Sequence, residues 1–433
     1  MITTTAALQF NQLLRQASLV LTSILLAKSG LTTDSIGVYE TLLFIGTTLS
    51  YFWINALIQS ALIFIPSVDE KEKPKTIFNI FLLFNALCLT LFLLLLGFKQ
   101  PISLLFSDNA DLPFFDLYAL FILLNFPPFL LESIWTVGNK PFHILAYALT
   151  SHILLPIFTV LPLWLGKPFV WSFYGMVCVA AIRYIWLIIN ILKLHKPLDF
   201  SFKIIRPFVL LALPLMAYSF LNGFVTSFTS WIVNWFHEGD RSVFAVFRYG
   251  AREFPLALAL AVGLSNSMIP VISSNMQEGL SILKKKSERL WHILFPSSIV
   301  LMLTSKFIFP LVFNPSFSES SAIFCLFLLL LTSRALFPQA ILLALKETKT
   351  MLQISIIETL SIIILSFLFI NIFDTEGVAL ALVVGFLLEK ILIIIALKRL
   401  HSIDFKQYTN IKLYLVYSFA LIASYFVQQF FIL

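Results

Sequence analysis

The chain is predicted to be an all-α, multi-pass membrane protein: two lobes of six helices and an extra helix at the C-terminal end. Three observations predict it. Hydrophobic residues make up 59% of its 433 residues and charged residues only 12%, against about 25% charged in a soluble domain. Apolar stretches of membrane-crossing length recur along the whole chain. Finally, the first half of the pattern is repeated in the second.

The apolar stretches fall at 7–29, 35–66, 77–98, 116–137, 143–165, 170–192, 207–236, 241–275, 290–313, 320–345, 350–372, 377–398 and 412–431. A span needs about 20 apolar residues, so each qualifies, and 35–66 and 241–275 are long enough to tilt or project. The first carries Arg15 in its middle and lacks a small-residue cleavage site, so it reads as a retained span. The last is polar at Gln428 and Gln429 and reads as either a span or an interfacial helix. Basic residues gather at 69–75, 139–140, 193–206, 284–289, 346–349 and 398–412, after every even-numbered span. In the other connections only Lys28, Lys99, Lys167 and Arg241 are basic. That asymmetry places the N-terminus in the cytoplasm. It also accounts for the net charge of +7 without a nucleic-acid partner.

The repeat is seen where Ser35-Ile-Gly-Val-Tyr-Glu40 opens the second span and Ser242-Val-Phe-Ala-Val-Phe-Arg248 opens the eighth. In one common register Gly37 matches Ala245, Tyr39 matches Phe247, and Glu40 falls opposite Arg248. Six spans per half leave both halves in the same orientation, which is a parallel repeat about an axis along the membrane normal. The expected division is a lobe at 1–195, a cytoplasmic linker at 196–206, a lobe at 207–400 and the extra helix within 401–433.

Further patterns are Ala245-Val-Phe-Arg-Tyr-Gly250, Ala257-Leu-Ala-Leu-Ala-Val-Gly-Leu-Ser-Asn-Ser-Met-Ile-Pro270, Leu311-Val-Phe-Asn-Pro-Ser-Phe317 and Glu376-Gly-Val-Ala-Leu-Ala381. In joint order and spacing over residues 1–400, the chain resembles the polysaccharide-export (Wzx-type) flippases. Their superfamily also holds the multidrug (MATE-type) exporters and the lipid II flippases. The resemblance implies two lobes in a V shape and alternating access to a central cationic cavity. It implies a substrate of undecaprenyl-diphosphate-linked oligosaccharide, a surface-polysaccharide or O-antigen-type unit moved from the inner to the outer leaflet of a prokaryotic inner membrane. No enzyme activity and no cofactor beyond a coupling ion, Na⁺ or H⁺, is expected. The expected partners are the lipid-linked glycan, the bilayer and a glycan polymerase or other export component, around a monomeric carrier.

Such a substrate needs cations for its diphosphate. The intramembrane cations are Arg15, Arg183, Arg248, Arg252, Lys306, Arg334 and Lys390. Arginine suits phosphate because its fork binds in two places and keeps its charge. Arg248 and Arg252, four residues apart on an expected helix, would share a face about 6 Å apart. The competing reading pairs them with Glu253 or another acid. Arg15 and Arg334 stand mid-span and are the other candidate cavity cations. Arg183, Lys306 and Lys390 are expected to snorkel from span ends. Glu40 is a candidate gate that would pair with Arg248 or Arg252. Glu132 and Glu358 are candidate ion-coupling carboxylates, with helix packing as the plainer alternative. His152 reads as a packed polar residue. Asn55, Gln59, Asn85, Asn125, Asn222, Asn234 and Asn266 suit either sugar hydroxyls or helix–helix bonds. Pro255 is expected to act as a hinge inside the eighth helix.

No phosphate-binding G-x-x-x-x-G-K-[ST] loop and no paired-Cys or H-E-x-x-H metal motif is present, so neither ATP nor a metal is expected. A cation-coupled drug exporter of the same fold is the first alternative; it would favour acids in the cavity. A membrane glycan polymerase or ligase is the second, and the short outer connections argue against it.

Overall fold

A computed structural model describes residues 4–107, 110–194, 199–345 and 347–430. The first part of the expected linker, residues 195–198, lies outside that set, as do Lys346 and the side chains of Asn222, Asn266 and Pro270. The described chain begins with helices α1 (Thr4–Ala27), α2 (Thr33–Ser67), α3 (Lys73–Gly97) and α4 (Lys99–Ser107). Then come α5 (Phe115–Asn125), α6 (Leu130–Val137), α7 (Pro141–Trp164), α8 (Val170–Leu192) and α9 (Phe202–Phe236). The second half holds α10 (Arg241–Gly250), α11 (Pro255–Ser274), α12 (Met276–Val312), α13 (Ser320–Leu329), α14 (Leu331–Arg334) and α15 (Pro338–Ala344). It ends with α16 (Thr348–His401), α17 (Phe405–Tyr408) and α18 (Ile411–Phe430).

Helix occupies every expected span. Among the described residues eight helices are long and apolar enough to cross a membrane, and a ninth is formed if the bent run of Ser320–Arg334 with Pro338–Ala344 is one span. The long α16 counts once there, yet Asp374 at φ 55° breaks it between the expected eleventh and twelfth spans. Outward faces carry Leu93, Ile185, Phe307, Ile364 and Phe419, all well exposed. That is the surface a helix presents to acyl chains, where its backbone bonds are already satisfied internally.

The chain packs as two compact units, Met1–Ser227 with His237–Ser242, and Phe228–Phe236 with Val243–Leu433. In the first unit α7 packs against α1 and α8, α5 against α8 and α3, and α2 against α6. Its core joins Leu57, Phe84, Leu131, Trp135 and Tyr147, all almost fully buried. The division falls inside α9, beyond the expected linker. The reason is packing: Phe208 and Phe220 of α9 meet Phe64 and Phe52 of α2, and Thr48 donates to Ser227 at 3.2 Å. Asn79 fastens the chain just ahead of α9, donating to the Asp199 carbonyl at 2.9 Å and accepting from the Ser201 amide at 2.7 Å.

In the second unit α12 packs against α11 and α18, and α15 and α13 against α16. Met268, Ile272, Leu283, Ile341 and Ile393 form its core. The last helix is an integral part of this unit. Tyr414 donates to the Thr332 carbonyl at 2.8 Å, and the Tyr417 ring stacks on Phe295 at 5.2 Å. Gln428, which made this span look polar, is fully buried and donates to Ser305 Oγ at 3.4 Å. Its polarity serves a helix–helix bond of the kind membrane bundles use.

Candidate functional site

The eighth expected span is two helices. Pro255 cannot continue a helix, because its ring collides with the carbonyl four residues back and it forces the residue before it out of the helical region. Phe254 is accordingly extended, at φ −61° and ψ 107°, and Pro255 stands at the start of α11. Residues 251–254 are non-helical. Ala251 still donates to Phe247, at 2.7 Å, but Arg252 turns back to the Gly250 carbonyl at 2.7 Å. Two expectations are thereby corrected. Pro255 opens a helix and does not sit as a hinge within one, and the helical register that would have put Arg248 and Arg252 on one face ends before Arg252.

The break gives Arg252 a particular setting. Its guanidinium lies 5.1 Å from the Tyr249 ring centre. Tyr249 is itself stacked on Phe317 at 4.2 Å and set edge-on to Phe313 at 5.0 Å. The Leu311–Phe317 motif is thus the platform behind the arginine. No side chain caps α11 at Phe254, so its first amides point into the break with the positive end of the helix dipole. Arg248 occupies the last turn of α10 and is half-buried.

Close packing fixes the end of α10. Ser320 Oγ donates to the Val246 carbonyl at 2.7 Å, and a Cβ on Gly250 would fall 2.6 Å from the Ser320 carbonyl oxygen and 2.7 Å from Ile323 Cβ. Gly250→Ala is therefore expected to destabilise the protein by about 1–3 kcal/mol. Thermal unfolding of the detergent-purified chain checks this; an unchanged midpoint would contradict it.

In the first unit a second break assembles a charged group. Pro127 and Pro128 end α5 and impose a short 3₁₀ turn before α6, since neither supplies an amide for the helix. The turn carries Glu132 to Arg15 of α1, with which it forms an ion pair. Phe129 lies under both Arg15 and Arg183, at 4.9 and 5.3 Å from its ring centre. Arg183 is only 3% exposed; it donates to Asn125 Oδ1 and, through Nε at 3.1 Å, to the Tyr147 hydroxyl. It does not snorkel. It stands some 14 Å from the nearer end of α8 at 1.5 Å per residue, too deep to reach water, and that depth was visible in the sequence. His152 contacts Asn11 Oδ1 at 3.1 Å, as a packed polar residue does. Asn85 accepts from Tyr184 at 2.6 Å, another bond between helices. Glu40 is 2% exposed in α2.

The second unit repeats the device. Its fourth helix breaks between α14 and Pro338, the first residue of α15. Arg334, at the end of α14, makes a two-point pair with Glu253, Nη2 to Oε1 at 2.8 Å and Nε to Oε2 at 3.2 Å. Its guanidinium lies 4.5 Å from the Phe386 ring centre. Glu253 and Arg334 line a small pocket with Phe254, Leu258, Ser298 and Leu331. The acid next to Arg252 in sequence thus belongs to Arg334. Lys390 is 3% exposed and pairs with Glu389 at 2.7 Å. Gln339 bridges the two, accepting from Lys390 at 2.7 Å and donating to Glu389. Lys390, like Arg183, is buried against the broken helix of its own unit and does not snorkel.

The structure thus joins Arg15 with Glu132, and Arg334 with Glu253. It sets Glu358, 8% exposed, within electrostatic reach of Arg334, Glu389 and Lys390. Glu132 and Glu358 fall in different units.

No protein-family model matches the chain, and no curated protein does. Solved structures do. The chain shares its helical fold with solved membrane transporters, and its long apolar helices make it a multi-pass membrane protein. It is similar to the lipid II flippase MurJ in an inward closed conformation, with a TM-score of 0.71 and 19% identity over 99% of this chain and 93% of that one. It is similar to an inward-facing multidrug resistance MATE family transporter, at a TM-score of 0.62 and 14% identity over 98% and 99%. A third is a MOP superfamily transporter from Pyrococcus furiosus described by the reverse polarity of its binding pocket, at 0.55 and 13% over 96% and 94%.

Proposed function

We propose that this chain is a flippase for a polyprenyl-diphosphate-linked oligosaccharide in a prokaryotic inner membrane. The observation that carries this reading is the break in the eighth helix. There Arg252 falls three residues ahead of the uncapped start of α11, with its guanidinium on the Tyr249 ring. Discontinuous membrane helices use such ends to hold anionic substrate groups. In this reading Arg252 and Arg248 take the diphosphate, Arg15 is a further cation for the substrate, held by Glu132 in its own unit, and Arg334 stays with Glu253. Glu40 belongs to gating. The prenyl tail remains in the bilayer while the headgroup crosses. An inside-negative potential favours outward movement of an anion by about 2.3 kcal/mol per charge per 100 mV, so no nucleotide is required. The likeness to a structure named as a lipid II flippase supports the substrate class.

The fold also serves multidrug MATE transporters. A drug exporter on this fold would favour acids over cations at its substrate site, whereas Arg252 stands at the break of the eighth helix with the neighbouring Glu253 committed to Arg334. In cells lacking this chain, lipid-linked units are expected to accumulate on the inner leaflet while surface glycan is lost. Single units accumulating on the outer face would identify a polymerase instead.

A further inference from the structure

In the first unit, helix α2 leaves a polar face uncovered. Between Ile36 and Leu62 three side chains are exposed, Thr47, Tyr51 and Gln59, and Asn55 between them is partly exposed. They fall at i, i+4, i+8 and i+12, which keeps them on one slowly turning face. At 1.5 Å per residue the stripe runs about 18 Å along the middle of a 35-residue helix. No charged residue stands on α2 between Glu40 and its end at Ser67. A lipid-facing row looks different. On α8 the side chains exposed between Gly175 and Asn190 are Cys178, Ile182, Ile185 and Ile189.

A polar side chain at membrane depth turns to another helix or to water, because acyl chains offer it no hydrogen bond. Asn85 takes the first course, accepting from Tyr184 at 2.6 Å. Gln59 is exposed and takes the second. Thr47 donates to the Leu43 carbonyl of its own helix at 2.8 Å, which leaves its oxygen able to accept. Tyr51 is held on one side by α9, where a Cβ on Gly223 would fall 3.1 Å from the ring, and it is still 52% exposed.

We infer that this stripe of α2 faces water and binds the hydroxyls of an uncharged sugar headgroup. Amides and hydroxyls both donate and accept, as sugar hydroxyls do. The Tyr51 ring adds an apolar face against which a sugar ring can lie, with a hydroxyl at its edge. A stripe without charge gives a uronic acid no counterion, so it favours neutral sugars. The inference rests on the flippase reading and adds the headgroup class to it.

Two measurements on the purified full chain test it. In proteoliposomes given a membrane-impermeant thiol reagent on both faces, Gln59→Cys is expected to be labelled, and the native Cys178 on the apolar row of α8 is not. In detergent, three probes are compared: farnesyl diphosphate, the same diphosphate carrying a neutral disaccharide, and one whose outer sugar is a uronic acid. The wild type should bind the neutral glycan probe about tenfold more tightly than farnesyl diphosphate, the gain from one or two net hydrogen bonds. It should also prefer it to the uronic acid probe. Asn55→Leu with Gln59→Leu should remove that gain while leaving farnesyl diphosphate binding and the thermal midpoint unchanged. An unlabelled Gln59→Cys, a wild type with no preference for the neutral glycan, or a gain that survives the double variant would overturn the inference and leave the diphosphate site standing. A wild type that binds none of the probes would overturn the flippase reading as well.

Discussion

Arg252→Ala is expected to abolish outward movement of the lipid-linked glycan while leaving the protein folded. A hydrogen bond to a charged group contributes about 1.5–3 kcal/mol. Losing a two-point phosphate contact therefore corresponds to at least a ten- to hundredfold loss, since about 1.4 kcal/mol is tenfold. The same change removes the contact with the Tyr249 ring, worth about 0.5–2 kcal/mol to the folded state. Arg252→Lys keeps the charge but not the planar fork, so it should recover part of the activity. The check is translocation measured beside the thermal midpoint of the same preparations. Full transport by Arg252→Ala would remove this residue from the substrate site.

Lys390→Met should cost the most stability of any single change considered. It leaves Glu389, itself 4% exposed, buried without its cation, and leaves Gln339 with an unused acceptor. Removing one partner of a buried pair costs about 3–5 kcal/mol, whereas replacing both by apolar residues is often neutral. Adding Glu389→Leu to Lys390→Met should therefore recover most of the loss. Thermal unfolding of both variants decides it. A single variant as stable as the wild type would mean that the pair is solvated.

The fold was legible because a membrane span is written in composition over twenty residues. Every expected span carries helix, and each unit has a helix broken at proline, at Pro127–Pro128 in the first and at Pro338 in the second. The site was only half legible. Depth along a helix gave Arg15 and Arg334 as intramembrane charges, but pairing depends on which face meets which neighbour. Glu253, a neighbour of Arg252 in sequence, meets Arg334 from another helix. Arg183 lies well inside its span, yet its partners Asn125 and Tyr147 are remote in sequence, so its burial is not readable there. Pro255, just past the arginine pair, ends the helix outright, a stronger effect than the expected hinge. The length of the apolar stretch hides that break in the sequence.

The most direct test is translocation in proteoliposomes made with the purified chain and a short-chain polyprenyl-diphosphate oligosaccharide. Access of a membrane-impermeant glycan-modifying reagent reports the leaflet. The account predicts that the wild type moves the headgroup across, faster when the receiving side is positive, and that Arg252→Ala does not. Equal rates with and without the protein, together with export of an organic cation by the same vesicles, would contradict it.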